Sequence, residues 1–145
     1  MPRHRTRGSR RGGAAIEFAL VAPILIGVFG AVIELSLWVN SFHLISRAAR
    51  DATRVGSITI EGDGADGSLI EANAIEHALT VLDFTGFQCS DVPECLVTAE
   101  WAADSVDGNM YLTTTIHYPY RGLTNVLPVV NRGVTARFTM MTQQQ

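Results

Sequence analysis

The chain has 145 residues, 47% hydrophobic and 17% charged, which is room for one small domain and too little for a multidomain enzyme. All 11 basic residues are arginine, 5 of them (Arg3, Arg5, Arg7, Arg10, Arg11) in the first eleven positions, and the 14 acids all come later. Beyond residue 12 there are 6 arginines against 14 acids, a formal charge of −8, which excludes a body that wraps nucleic-acid phosphates.

Residues 1–12 are polar and Arg-rich with no apolar periodicity, and read as a basic cytoplasmic leader. Gly13 to Val39 follows, 27 residues whose only charges are Glu17 and Glu34, with 16 uninterrupted apolar positions from Phe18 to Ile33. As a helix it spans roughly 40 Å, more than the roughly 30 Å of a bilayer's hydrocarbon core, so residues 13–39 are predicted to cross a membrane once. Arginines ahead of the span place the N-terminus in the cytoplasm and the body outside. Arg47, Arg50 and Arg54 beyond it oppose this weakly. Pro23 is expected to kink or thin the helix inside the bilayer.

The helix is expected to continue over residues 40–56. Leu35, Trp38, Phe42, Ile45, Ala49, Ala52 and Gly56 recur at steps of three and four, one apolar to small stripe, and Arg47, Arg50 and Arg54 form a second, basic one. A soluble head then occupies residues 57–145. In it, Ser57 to Ile60 suggests a short strand, and residues 61–67 form an acidic Gly/Asp loop without the ligand spacing of a calcium loop. Ser68 to Glu71 matches a capping box opening a helix over about 68–82, with Leu69, Ala72, Ile75, Ala78, Leu79 and Leu82 at helical spacing. Strands are predicted over 96–101, 110–118 and 134–141, the first two as a hairpin. The fold class is α+β: a long N-terminal transmembrane helix running into a small head with an antiparallel sheet and one or more covering helices.

Cys89 and Cys95, five residues apart in between, are expected to pair in an exported body, since an oxidising compartment favours a local disulfide. Two thiols at that spacing without a matching Cys or His pair do not make a zinc site, and no other metal is expected. The histidines His4, His43, His77 and His117 are scattered, with no hydrolase, phosphate-loop or dinucleotide motif near them. No catalytic residue, cofactor or small-molecule substrate is expected, and the chain is not read as an enzyme.

Two carboxylates stand out, because each costs about 2.5–3.5 kcal/mol at the centre of a membrane helix unless partnered. Glu34, near the outer end, either reaches the headgroups or meets a neighbouring helix, and the residues alone leave both open. Glu17 opens the apolar span within Arg10-Arg11-Gly12-Gly13-Ala14-Ala15-Ile16-Glu17-Phe18-Ala19-Leu20-Val21-Ala22-Pro23. A basic leader ending in glycine, then a glutamate and phenylalanine heading a long apolar helix, resembles the class III signal of type IV pilin-like proteins. In the wording GAAIEFALVAPIL it is similar to the TadE-like pseudopilins of tight-adherence (Flp/Tad) pilus systems.

The resemblance implies prepilin-peptidase cleavage between Gly12 and Gly13. Glu17 then becomes the fifth residue of the mature chain, its charge neutralising the new amine or a neighbour's, and Phe18 completes the motif. It implies a minor pilin or pseudopilin of the bacterial inner membrane, single-pass, with a periplasmic head and incorporation in an adhesive pilus as one fate. The implied partners are membrane lipid, prepilin peptidase, other pilins and pseudopilins, and the inner-membrane assembly platform. Helix packing through small residues such as Gly27, Gly30 and Ala31 would be the mode of action. Two rival readings compete. A cleaved secretory or twin-arginine signal is disfavoured by Gly13, Ala14 and Glu17 where apolar residues are needed, and by the lack of a small-residue cleavage site. The other is a membrane-anchored periplasmic binding or sensor domain.

Overall fold

The computed structural model describes residues 11–58, 67–103, 108–120, 122 and 133–142. Its backbone is a single long helix, α1 (Arg11–Ile58), followed by α2 (Gly67–Phe84), a short 3-10 turn (Cys89–Asp91) and three strands, β1 (Leu96–Ala103), β2 (Met110–Tyr118) and β3 (Val134–Thr142). This is an α+β fold with a transmembrane-like helix.

Forty-eight residues make α1 roughly 72 Å long, and it is continuous through Pro23. Its most apolar window has a mean hydropathy of 2.4 and no buried residue, so the helix is long and apolar enough to cross a membrane. Ser57 and Ile58, expected to begin a strand, extend the helix, and the Ser57 hydroxyl donates to the Arg54 carbonyl at 2.8 Å. Thr59, Ile60 and the acidic loop up to Asp66 lie outside the described residues.

The strands form one antiparallel sheet in the order β1-β2-β3, with Thr114 of the central strand opposite Ala99 on one side and Phe138 on the other. Side chains alternate across a strand, so the register sorts the faces. Val97, Ala99 and Trp101, then Leu112, Thr114 and Ile116, then Val134, Ala136 and Phe138 point toward the helices. Thr98, Glu100, Tyr111, Thr113, Thr115, His117, Thr135, Arg137 and Thr139 point away. Both helices cover the same face. Arg50 of α1 lies over the Phe138 ring and Ser57 reaches Met140, so α1 lies on the β3 flank; the Trp101 N–H donates to Glu71 of α2 at 2.8 Å, so α2 lies on the β1 flank.

The core follows from small residues at the helix contact. Ile45, Ala48, Ala49 and Ala52 of α1 pack with Ala78 and Leu82 of α2 and with Ile116, Val134 and Ala136 of the sheet. Farther along, Ile70 and Ala74 pack with Ala99 and Leu112. A Cβ on Gly56 would stand 3.0 Å from the Ala74 Cβ, so α2 runs back antiparallel to α1 with residues 56 and 74 face to face. It ends in a Schellman motif: the Phe87 N–H reaches the Leu82 carbonyl, the Gly86 N–H reaches that of Asp83, and Gly86 takes φ 88°. Phe87 then turns into the core, edge-on to Tyr118 at 4.9 Å.

Two expected stripes shift. On α2 the buried column is Ile70, Ala74, Ala78 and Leu82, while Leu69 and Leu79 are 49% and 40% exposed, because close approach of two helices selects alanine over leucine. Ser68 stands inside the first turn rather than before it, and Glu71 accepts the Trp101 N–H, so the pair does not work as the capping box read from the sequence. On α1 the stripe holds from Trp38 upward, but Leu35 and Phe42 lie at its margin, half exposed, while Glu34 and Ser41 turn inward.

Candidate functional site

The sequence places its candidate site at the start of α1. Gly12 and Gly13 form its first turn, and Glu17 and Phe18 follow on a stretch with no packing partner, Phe18 being 72% exposed. From Gly13 to Ile33 the helix carries no buried side chain, a length of roughly 31 Å that matches a hydrocarbon core. An added Cβ at Gly13, Gly27 or Gly30 would meet nothing within 4 Å. These glycines therefore serve no packing need inside the chain, and the whole surface of the span is available to lipid or to other helices.

The apolar span ends at Glu34, which is 1% exposed. The cause is tertiary: from Glu34 upward the head covers one side of α1, and Trp38, one turn later, packs into the main core cluster together with Tyr118 and Tyr120. Burial, and then the charge of Glu34, hold the Tyr120 phenol above its usual 10.0. Of the two fates open to Glu34, contact with headgroups and contact with another helix, the structure selects neither: the carboxylate lies under its own head. Trp38 is half buried there and stacks on Phe42 with centroids 6.2 Å apart. Nothing in the sequence marked Tyr120 as the residue that would meet Glu34, because 86 positions separate them.

Cys89 and Cys95 are joined as a disulfide with Cα atoms 5.3 Å apart, closing the turn between α2 and β1. A hollow of about 580 Å³ lies beneath it, lined by Ile75, Leu79, Asp83 and Val97 among others. The three histidines within the described residues do not converge. His43 lies against Phe42 on α1, His77 is on α2, and His117 on the outer sheet face bonds through Nδ1 to the Thr135 hydroxyl at 2.8 Å. Among the described residues no three His, Cys, Asp or Glu side chains are grouped to hold a metal ion. His4 lies outside them.

Charge is divided across the head. The arginines Arg47, Arg50 and Arg54 are exposed on α1, on the flank toward β3. From Val55 to Tyr120 the chain has no Lys or Arg, and α2 with the segment after it carries Glu71, Glu76, Asp83, Asp91, Glu94 and Glu100. Of the three stripe arginines, Arg50 meets an aromatic ring, its guanidinium carbon 5.1 Å from the Phe138 ring centroid.

Residues 12–54 match the model of a family described as TadE-like protein. No curated protein and no solved structure matches the chain. The matched stretch holds Gly12, Gly13, Glu17, Phe18, the entire exposed span and the arginine stripe. Over residues 12–54 the chain is similar to the TadE-like family, the one that its N-terminal wording resembles.

Proposed function

We propose that this chain is a minor pilin or pseudopilin of a Flp/Tad pilus, held by α1 in the bacterial inner membrane with its head in the periplasm, and that it acts by packing rather than by catalysis. One observation carries the reading: the family match covers residues 12–54, and this is the segment that is a continuous apolar helix with no buried side chain from Gly13 to Ile33. A helix exposed on all sides in water is stable only in lipid or against other helices. In this reading prepilin peptidase cuts between Gly12 and Gly13, and the small residue at 13, which packing within the chain does not require, serves the peptidase. Glu17 then lies four residues from a new ammonium group, close enough to neutralise it or that of a neighbouring helix in a medium where an unpaired charge is costly. The partners are other pilins, pseudopilins and the assembly platform, and surface adhesion is the process served.

The test is the N-terminal sequence of the protein from membranes, with and without its prepilin peptidase. A peptidase-dependent start at Gly13 is expected. An intact Met1 or Pro2 in the presence of the peptidase overturns the pilin reading in favour of an anchored binding or sensor domain, and a start beyond Val39 means conventional export. Glu17→Gln should leave cleavage in place and lower pilus assembly at least about tenfold, the scale of one unpaired charge in an apolar medium. Unchanged assembly would remove the role given to its charge.

A further inference from the structure

The arginine flank of α1 and the exposed face of α2 are related by more than opposite sign. Arg47 and Arg54 are seven residues apart, as are Glu76 and Asp83, so each pair is separated by two helical turns, about 10.5 Å. The pairs also stand at one height. Gly56 of α1 faces Ala74 of α2 and the helices run antiparallel, so two residues down α1 from Gly56 lies Arg54, and two along α2 from Ala74 lies Glu76. Seven further positions on each helix bring Arg47 level with Asp83. The two faces point away from each other: Arg50 of the arginine flank lies over Phe138 of β3, while Leu79 and Asp83 line a hollow with Leu96 and Val97 of β1, and none of the four charged side chains finds an opposite charge among the described residues. Between the acids Leu79 is 40% exposed, and between the arginines the Arg50 guanidinium carbon stands 5.1 Å from the Phe138 ring centroid. Asp51 is the single acid on the exposed side of this stretch of α1.

We propose that the occupant of the arginine flank is a second copy of this chain, which presents Glu76, Leu79 and Asp83 of its α2. The contact is heterologous, since each copy uses a different face toward each neighbour, and it repeats in an open row. It rests on the reading that α1 crosses the membrane. Anchored copies then share one orientation and one depth, and equal height of the two charge pairs is what a side-by-side contact in the membrane plane requires. A fibre in which each copy rises relative to the next would separate them, so the contact belongs to the membrane-stored stage.

The test uses the full chain in two tagged forms, co-expressed and co-isolated from membranes. Arg47→Glu with Arg54→Glu, and separately Glu76→Arg with Asp83→Arg, should each reduce co-isolation of like copies about tenfold, as two weak surface pairs become repulsive. Mixing the two variants restores opposite charges at both faces, so co-isolation should return, and this shows that neither variant has lost its fold. The wild-type contact should also weaken with rising salt. Undiminished co-isolation in both variants overturns the proposal, as does failure of the mixture to recover. Loss in the arginine variant alone also overturns it and assigns the arginines to anionic lipid phosphates. Cleavage at Gly13 is scored in the same samples: wild-type copies that are cleaved but co-isolate without regard to charge, or do not co-isolate, sink this contact and leave the pilin reading standing, while a charge-dependent row on uncleaved chains supports the contact and sinks that reading.

Discussion

Glu34 illustrates how a single costly residue is accommodated. A carboxylate at the end of an apolar helix can be drawn into water, paired or covered, and here the head covers it and sets Tyr120 near it. The raised phenol has a definite consequence for stability. Because the folded state resists phenolate formation while the unfolded chain ionises near 10.0, the contribution of Tyr120 is complete below that pH and is lost as pH rises past it toward the folded value. Thermal unfolding of the chain in micelles should therefore show a fall above about pH 10 that Tyr120→Phe reduces. Glu34→Gln should move the phenolate titration seen by ultraviolet absorbance part of the way back, since burial, the larger cause, stays. A titration curve identical to wild type would mean that the Glu34 charge does not reach the phenol. From the residues alone Glu34 was legible as a group needing an explanation. The explanation was not legible, since it depends on a chain return from far along the sequence.

At the scale of elements, the helix contact is built from Ala48, Ala49 and Ala52 against Ala74 and Ala78, with Gly56 at the closest point. An added Cβ at Gly56 would stand 2.6 Å from Cδ2 of the fully buried Leu112 and 3.0 Å from Ala74. Alanine is favoured over glycine within a helix by about 1 kcal/mol, but overpacking a core costs about 1–3 kcal/mol. Gly56→Ala should thus lower the stability of the full chain by about 1 kcal/mol, read as the midpoint of denaturant unfolding in micelles, and a raised midpoint would show that Leu112 moves aside freely. Elements themselves were readable: the second strand was predicted over 110–118, its observed range, and both helices from their spacing. On α2 the expected Ala78 and Leu82 are buried, while Ile70 and Ala74 take the inward places expected of Leu69 and its neighbours. Counting large apolar residues selects Leu69 and Leu79, whereas a tight helix pair rewards the small side chains that let backbones approach.

For the whole molecule, the redox state of the cysteine pair tests the proposed export of the head. With the head exported, Cys89 and Cys95 should be oxidised in protein taken from cells, and reduction or paired Cys→Ser replacement should cost about 2 kcal/mol for so short a loop. Thiols that alkylate fully without reductant would place the head on the reducing side and contradict the orientation drawn from the leader arginines. Much at this scale was written in the sequence by itself. A long apolar run, a basic leader and Glu17 determine a helix that seeks lipid, because hydropathy and charge act through composition and near neighbours and need no tertiary contact. The alternation of the strands likewise determines which faces they bury. Only the tertiary structure decided that Glu34 is covered by its own head, that α2 packs through alanines, and that Arg47 and Arg54 stand level with Glu76 and Asp83. Each of these depends on residues distant in sequence meeting at particular heights, and helix packing distances and chain returns, not local pattern, set those heights.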